Sequence, residues 1–478
     1  MTVPCSLLWY DYETTGIDPR RDRPLQVAAI RTDEAFNEIG EPLNLYCQLA
    51  DDILPHPKAC LVTGISPEQL KEQGLPEAEF IQKLHEQMAV PGTCTAGYNN
   101  LRFDDELTRH SLWRNFYDPY AREWQNGNSR WDLIDLLRAA YALRPQGIEW
   151  PEEDGQVSLR LELISAANGL LHSQAHDALS DVRATIELAR LIKQKQPKLY
   201  DYCYRLRSKH EVQRQIKLLQ PMLHVSGRFA AQRHYLAAVL PLAWHPHNRN
   251  ALIVYDLHYD PTPLLHEEVD TLKQRLYTKR VDLIEGQLPL ALKLLHINRC
   301  PLVAPLSVLR EQDHQRLQLD MTCYQQRAAE LIQTQSIWQD KLQTLYSEEL
   351  KNSSQDPEQQ LYGGFLSQAD RHLCEQIRRM EPAQLAGHYL PFKDERLQKL
   401  LFRYRARNFP QSLTEDEKQQ WQRFCQNRLS LDEYGAPNTL ADFRSALNSS
   451  WEAASEMQQS LLLKWQSYVD SLAARFCL

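Results

Sequence analysis

Apolar positions are grouped in blocks whose spacing changes along the chain. Residues 7–12 form an apolar and aromatic run that predicts a buried strand, ended by the turn Thr14-Thr15-Gly16. Residues 25–31 and 43–49 predict two further strands with a turn at 37–41 between them, a three-stranded meander. Helical spacing follows over 68–72, introduced by Ser66-Pro67 with Gln69 at the capping-box position, and over 77–88. Residues 94–97 predict a short strand that gives way to a helix starting at Asp104 and running into the aromatic stretch 113–124. Helices are also predicted over 131–142, over 158–167 with an Asn168-Gly169 C-cap, and from the residues after His176 to Lys195.

Beyond Pro197 the pattern changes. Residues 200–219 are locally basic, then strands are predicted at 223–229, 235–244, 251–257 and 292–297, enough for a small β domain. From about residue 357 the spacing is helical. Residues 397–410 interleave Lys399, Arg403, Arg405 and Arg407 with Phe402, Tyr404 and Phe409, which suits an arm over single-stranded DNA or a solvated basic helix face. Residues 415–428 and 440–472 read as surface helices with no role beyond packing.

Composition narrows the class. A chain of 478 residues with ordinary apolar and charged fractions is globular and holds two to four domains. No leader or membrane span is expected, because the first apolar run lacks a basic flank and breaks at Asp11, so a cytoplasmic protein is expected. Ten dispersed cysteines show neither zinc-knuckle nor redox spacing and are expected to be reduced. The net charge of −8 argues weakly against a nucleic-acid partner, but local fields decide that point.

The chemistry-bearing residues are few. Asp11 and Glu13 stand two apart on the first strand and share a face. They either meet water at a strand edge or bind a hard divalent cation that offsets their repulsion. Asp104, at a strand–helix junction, is either a favourable dipole partner or another ligand. The alternation of rings and bases over 113–124 suits base stacking or a packed aromatic cluster. Arg138 lies three residues from Asp135, the spacing of a helical ion pair, whereas Arg160 falls in the expected first turn of its helix, where the dipole disfavours a cation. Asp181 borders the apolar stripe of a late helix, and His176, about 140° away if both were helical, is expected on the preceding loop.

Together, Asp11-x-Glu13, Asn100-x-x-Phe103-Asp104 and His176-x-x-x-x-Asp181 resemble the histidine-bearing branch of the DEDD exonuclease superfamily. The segments 98–100, 102–106, 115–120, 128–132 and 403–410 are similar to the bacterial exonuclease I family, over nearly the whole chain but more weakly at 311–358 and after 411. The resemblance implies an α/β protein: an RNase H-like exonuclease domain (1–198), an SH3-like domain (199–356) and a helical C-terminal domain (357–478), clamped around one strand. It implies processive 3′→5′ hydrolysis of single-stranded DNA to 5′-mononucleotides, in DNA repair. Asp11, Glu13, Asp104 and Asp181 would hold two Mg²⁺ ions roughly 4 Å apart, with Mn²⁺ as a substitute, and His176 would be the general base. Glu13 and Arg160 would touch the substrate, while Arg109, Tyr120, Trp124 and Arg138 would serve strand binding or activity. A monomer is expected, with the acidic tail of single-stranded-DNA-binding protein as a partner and no membrane. A 3′ exoribonuclease and a non-catalytic strand-binding scaffold remain as alternatives, since carboxylates and metal do not distinguish sugars.

Overall fold

In the computed structural model the first apolar run forms β1 (Ser6–Thr14), followed by β2 (Pro24–Thr32) and β3 (Leu43–Cys47), joined antiparallel as the expected meander. The structure describes residues 5–170, 177–278, 282–283, 288–347, 354–386, 390–431 and 435–478. Helices α1 (Pro57–Thr63) and α2 (Pro67–Gln73) follow, and Ser66 caps α2 by accepting from the Gln69 amide. After the two-residue β4 (Gly74–Leu75) come α3 (Glu77–Met88), β5 (Thr93–Gly97) and α4 (Asp104–Arg114). With β6 (Ser129–Asp132) the sheet order is β4-β3-β2-β1-β5-β6, in which β5 runs parallel to the central β1. This mixed sheet matches the expected RNase H-like arrangement.

The chain divides into two compact units, one of Met1–Arg130, Leu171–Ile186 and Lys351–Leu478, the other of Trp131–Leu170 and Glu187–Leu350. In the first, one sheet face packs Leu8, Tyr10, Val27 and Ala29 against Phe80, Ile81, Leu84 and Leu107. Leu25, Leu54, Cys60 and Ile65 form a second core with Trp421, Phe443, Trp465 and Val469. The helices beyond residue 411 are therefore core elements, not the surface helices expected, and the predicted 440–472 helix is two, Leu440–Trp451 and Glu456–Arg475.

The basic helix Glu395–Asn408 also departs from expectation. Arg407 clamps Asp52 through Nε and Nη2 at 2.9 and 2.7 Å and reaches Glu358 at 2.8 Å. Arg403 pairs with Asp356 and Glu358 at 2.6 and 2.9 Å, Arg405 with Glu417, and Arg23 with Glu358. Burial alone would raise Asp52 and Glu358, but the surrounding guanidinium groups hold both below the usual carboxylate range. These arginines are internal struts, because their positive charge is matched inside the protein.

The second unit contains a five-stranded antiparallel sheet, residues 222–225, 236–244, 251–256, 292–296 and 302–305, the last of which the pattern analysis missed. Three apolar residues ended by Pro305 carry too little periodicity to be seen. The first helix of this unit is Leu133–Leu143, since residues 131–132 finish β6 and Asp132 caps the helix. The next is Leu161–Ala167, which leaves Arg160 at its N-cap and Gly169 left-handed at φ +64° beyond its end. All ten cysteines are free thiols. No helix among the described residues is long and apolar enough to cross a membrane.

Candidate active site

The site begins on β1. Asp11 and Glu13 alternate with Tyr10 and Tyr12, so the acids share one face while both tyrosines enter the core on the other. The turn after Glu13 is tightly braced: Asp22 accepts from the Thr15 hydroxyl at 2.7 Å and from the Asp18 amide at 2.8 Å. A side chain at Gly16 would place Cβ 2.6 Å from the Asp22 carboxylate, so any larger residue must displace that brace. Gly97, ending β5, is similarly confined, with a Cβ falling 2.8 Å from the Tyr10 carbonyl and 2.9 Å from Asn100 Cβ.

Asp181 arrives on the Ala178–Lys195 helix. Asp177 caps that helix, accepting from the Ser180 amide and hydroxyl at 3.1 Å each, so the turn bearing Asp181 is set in place. Asp11, Glu13 and Asp181 each offer a carboxylate oxygen, and the three lie within 4.8 Å of one another. Asp104 is buried at the first position of α4, and its charge acts on Asp11.

Burial and then the charges of Asp104 and Asp181 push Asp11 well above the carboxylate range. Burial, Asp11, Asp181 and Asp177 push Glu13 up to about 9. Such mutual repulsion is relieved by a cation, and an all-oxygen donor set without cysteine or imidazole suits a hard divalent ion. The neighbouring Asn100 side chain is fully buried and neither polar atom of its carboxamide has a partner among the described residues, as fits a site completed by a bound group. His176 lies outside the described residues.

Of the aromatic stretch, Trp113 and Phe116 belong to a packed core and Arg122 is buried on Asp105, so here the packed-cluster alternative holds. The chain turns sharply at Phe116, φ +64°, which ends the helix expected to continue. Trp124 differs, with 65% of its surface exposed. Arg109 forks onto Glu123 at 2.7 and 2.9 Å, reaches Glu106 and the Tyr362 hydroxyl, and lies 5.3 Å from the Tyr120 ring centre. Its donors are thus engaged within the protein, and it supports Tyr120. Around Tyr120 stand Tyr362 and Phe365, with ring centres at 6.5 and 6.4 Å, and Phe365 is 85% exposed. Neither ring stands out in the sequence pattern. Their signal was an aromatic pair astride Gly363-Gly364, beside the exposed-ring composition that stacking surfaces share.

In the second unit Arg138 bonds Asp135 at 2.6 Å, the ion pair its spacing suggested, and lies 5.5 Å from the Tyr235 ring centre. Arg160 is exposed and paired with Glu162 and Glu153. Those acids offset its charge, so the dipole violation expected from sequence does not arise.

Three family models match in succession: Exonuclease over residues 8–189, Exonuclease I SH3-like domain over 207–348, and Exonuclease I C-terminal domain over 355–472. Exodeoxyribonuclease I of Escherichia coli is 48% identical over 420 residues, covering 87% of this chain and 88% of that protein. The crystal structure of E. coli exonuclease I in complex with a dA16 oligonucleotide superposes with a TM-score of 0.93 at 44% identity, covering 98% of this chain and all of that one. A zinc ion bound form of the E. coli enzyme with single-stranded DNA gives 0.92 at 43% identity, with 98% and 100% covered. The RNase H-like, SH3-like and helical C-terminal parts are thus all accounted for, and the chain belongs to the exonuclease I family.

Proposed function

We propose that this protein is a 3′→5′ exodeoxyribonuclease that degrades single-stranded DNA to 5′-mononucleotides, with divalent ions held by Asp11, Glu13, Asp104 and Asp181. The observation that carries the reading is the convergence of three carboxylates within 4.8 Å, coupled to a fourth, in a chain of this family. When bound, two Mg²⁺ ions, or Mn²⁺ in their place, supply an activated water and stabilise charge on the leaving 3′ oxygen. Glu13 also faces the terminal nucleotide, and His176 takes the proton of the attacking water, a role that imidazole chemistry suits.

Strand binding is assigned to Trp124, Tyr362 and Phe365, whose exposed rings suit stacking with any base, and to the half-buried Tyr120 beside them. Arg109 holds Tyr120, Arg138 serves strand binding or activity while paired with Asp135, and the exposed Arg160 touches the substrate. Domain boundaries near residues 198 and 356 are supported by the gaps between the matched family segments. A cytoplasmic monomer, a role in DNA repair, processive digestion and docking of the acidic tail of single-stranded-DNA-binding protein complete the reading, on family membership.

The test uses 3′-labelled and 5′-labelled single-stranded DNA, matched RNA and duplex DNA, with Mg²⁺, for the wild type and Asp181→Ala. Immediate release of the 3′ label as mononucleotide, abolished in Asp181→Ala, is the expected result. Preferential digestion of RNA would make the protein an exoribonuclease, and tight DNA binding without cleavage would make it a scaffold.

A further inference from the structure

Behind the carboxylates lies a second polar cluster that the reaction itself does not use. Asp105, next in sequence to Asp104, is completely buried. Its Oδ1 accepts from the Tyr10 hydroxyl at 2.7 Å and from Arg122 Nη2 at 2.6 Å, and its Oδ2 accepts from Arg130 Nη1 at 2.9 Å. One turn on, the Thr108 hydroxyl donates to the Asp104 carbonyl at 2.7 Å and lies 3.0 Å from the Tyr12 hydroxyl. With the Thr108 proton committed to that carbonyl, Tyr12 is the donor in the second contact.

Two strand residues that flank Asp11 therefore reach α4 at two points, one in its first turn and one in its second. Tyr10 and Tyr12 project from the opposite face of β1 to Asp11, so the ties leave the Asp11 carboxylate free of them. Stability does not account for the arrangement, since a buried ion cluster contributes little net stability compared with apolar packing of the same shape. What directional bonds at 2.6 to 3.0 Å do supply is a fixed distance.

We propose that Asp105, with Tyr10 and Arg122, is a positioning unit that sets the separation of Asp11 from Asp104, and through it the affinity of the site for a divalent cation. The inference rests on the assignment of Asp11 and Asp104 as metal ligands. Asp105 is a positioning residue, because it acts through Asp104 and touches neither ion nor strand. Outer partners of metal ligands typically govern affinity by about 10- to 100-fold.

The experiment measures Mn²⁺ binding by electron paramagnetic resonance on the full-length wild type, Tyr10→Phe, Asp105→Asn and Asp11→Ala. Melting in EDTA and affinity for a fluorescent oligonucleotide in EDTA are recorded in parallel. Wild-type binding that Asp11→Ala abolishes establishes the ligand assignment by itself; no such difference overturns that assignment and this inference with it. Given the assignment, Tyr10→Phe is expected to weaken Mn²⁺ about tenfold. Its metal-free melting should stay within about 2 °C of the wild type, and its oligonucleotide affinity should be unchanged. Unaltered Mn²⁺ affinity overturns the inference, and so does a parallel fall in melting temperature and oligonucleotide affinity, which marks a merely structural role. Asp105→Asn should show a larger loss of Mn²⁺ affinity. It leaves Arg122 buried against a neutral amide, so if it fails to fold, Tyr10→Phe decides.

Discussion

Asp11 is an acid held where its charge is unwelcome, and that cost is the mark of its role. Its raised pKa means that the folded state prefers the protonated form, so at neutral pH the charged carboxylate destabilises the metal-free protein. Asp11→Asn should therefore raise the melting temperature in EDTA, by about 2 °C or more. It should also abolish the further rise that Mg²⁺ gives the wild type and lower hydrolysis by about 10³-fold or more. Calorimetry with and without Mg²⁺ checks the first two and the label-release assay the third; a stability loss in EDTA would mean that Asp11 has a structural partner. The exposed rings make a separable prediction. Phe365→Ser should raise KM for a single strand by about tenfold, the loss of one base stack, with kcat unchanged. A fall in kcat at constant KM would remove Phe365 from the strand path.

At the scale of the element, the Glu395–Asn408 helix shows why composition misleads about charge. Its arginines answer Asp52, Asp356, Glu358 and Glu417, so they steady the first unit and leave little field for a phosphate backbone. Because Asp52 and Glu358 are held below the ordinary range, their stabilisation is complete above the unfolded carboxylate value, about 4.3. It is lost as pH falls through their lower folded values. Glu358→Gln should destabilise the protein at pH 7 by about 3–5 kcal/mol, since it leaves Arg23 buried without its carboxylate partner and strips Arg407 and Arg403 of one of their two. Urea unfolding of the variant should also show a shallower loss between about pH 4.5 and 2 than the wild type. An acid limb identical to the wild type would mean that this network does not govern acid unfolding. Arg160 teaches a related lesson, since its helix begins three residues later than spacing suggests, at Leu161, and its acidic neighbours settle the apparent conflict with the dipole.

At the scale of the molecule, the nuclease segment is not built from its own residues alone. Leu25, Leu54 and Ile65 share a core with Trp421, Trp465 and Val469, and Arg23 and Asp52 are neutralised by residues beyond 351. A fragment of residues 1–198 should accordingly aggregate or melt well below the whole chain, with apolar surface that binds a reporter dye. Co-expression with residues 351–478 should restore a soluble complex, assayed by gel filtration. A monomeric fragment as stable as the full chain would show that the shared core is dispensable. The −8 net charge is compatible with a DNA substrate, because the groups assigned to the strand are rings and locally placed cations, and the carboxylates require metal.

The sequence by itself determined the strand that carries Asp11 and Glu13, the helix that opens at Asp104, the late helix that carries Asp181, and the family. Each depends on local order: a period of two, a helical period, a residue spacing. What only tertiary structure decided was which charges are already spent. Whether Arg403 and Arg407 face DNA or a buried acid, whether Trp113 stacks on a base or fills a core, and whether residues 440–472 lie on the surface depend on partners tens to hundreds of positions away. Tyr362 and Phe365 became visible only beside Tyr120. Local periodicity fixes which way a side chain leaves the backbone; what it meets there is set by long-range packing.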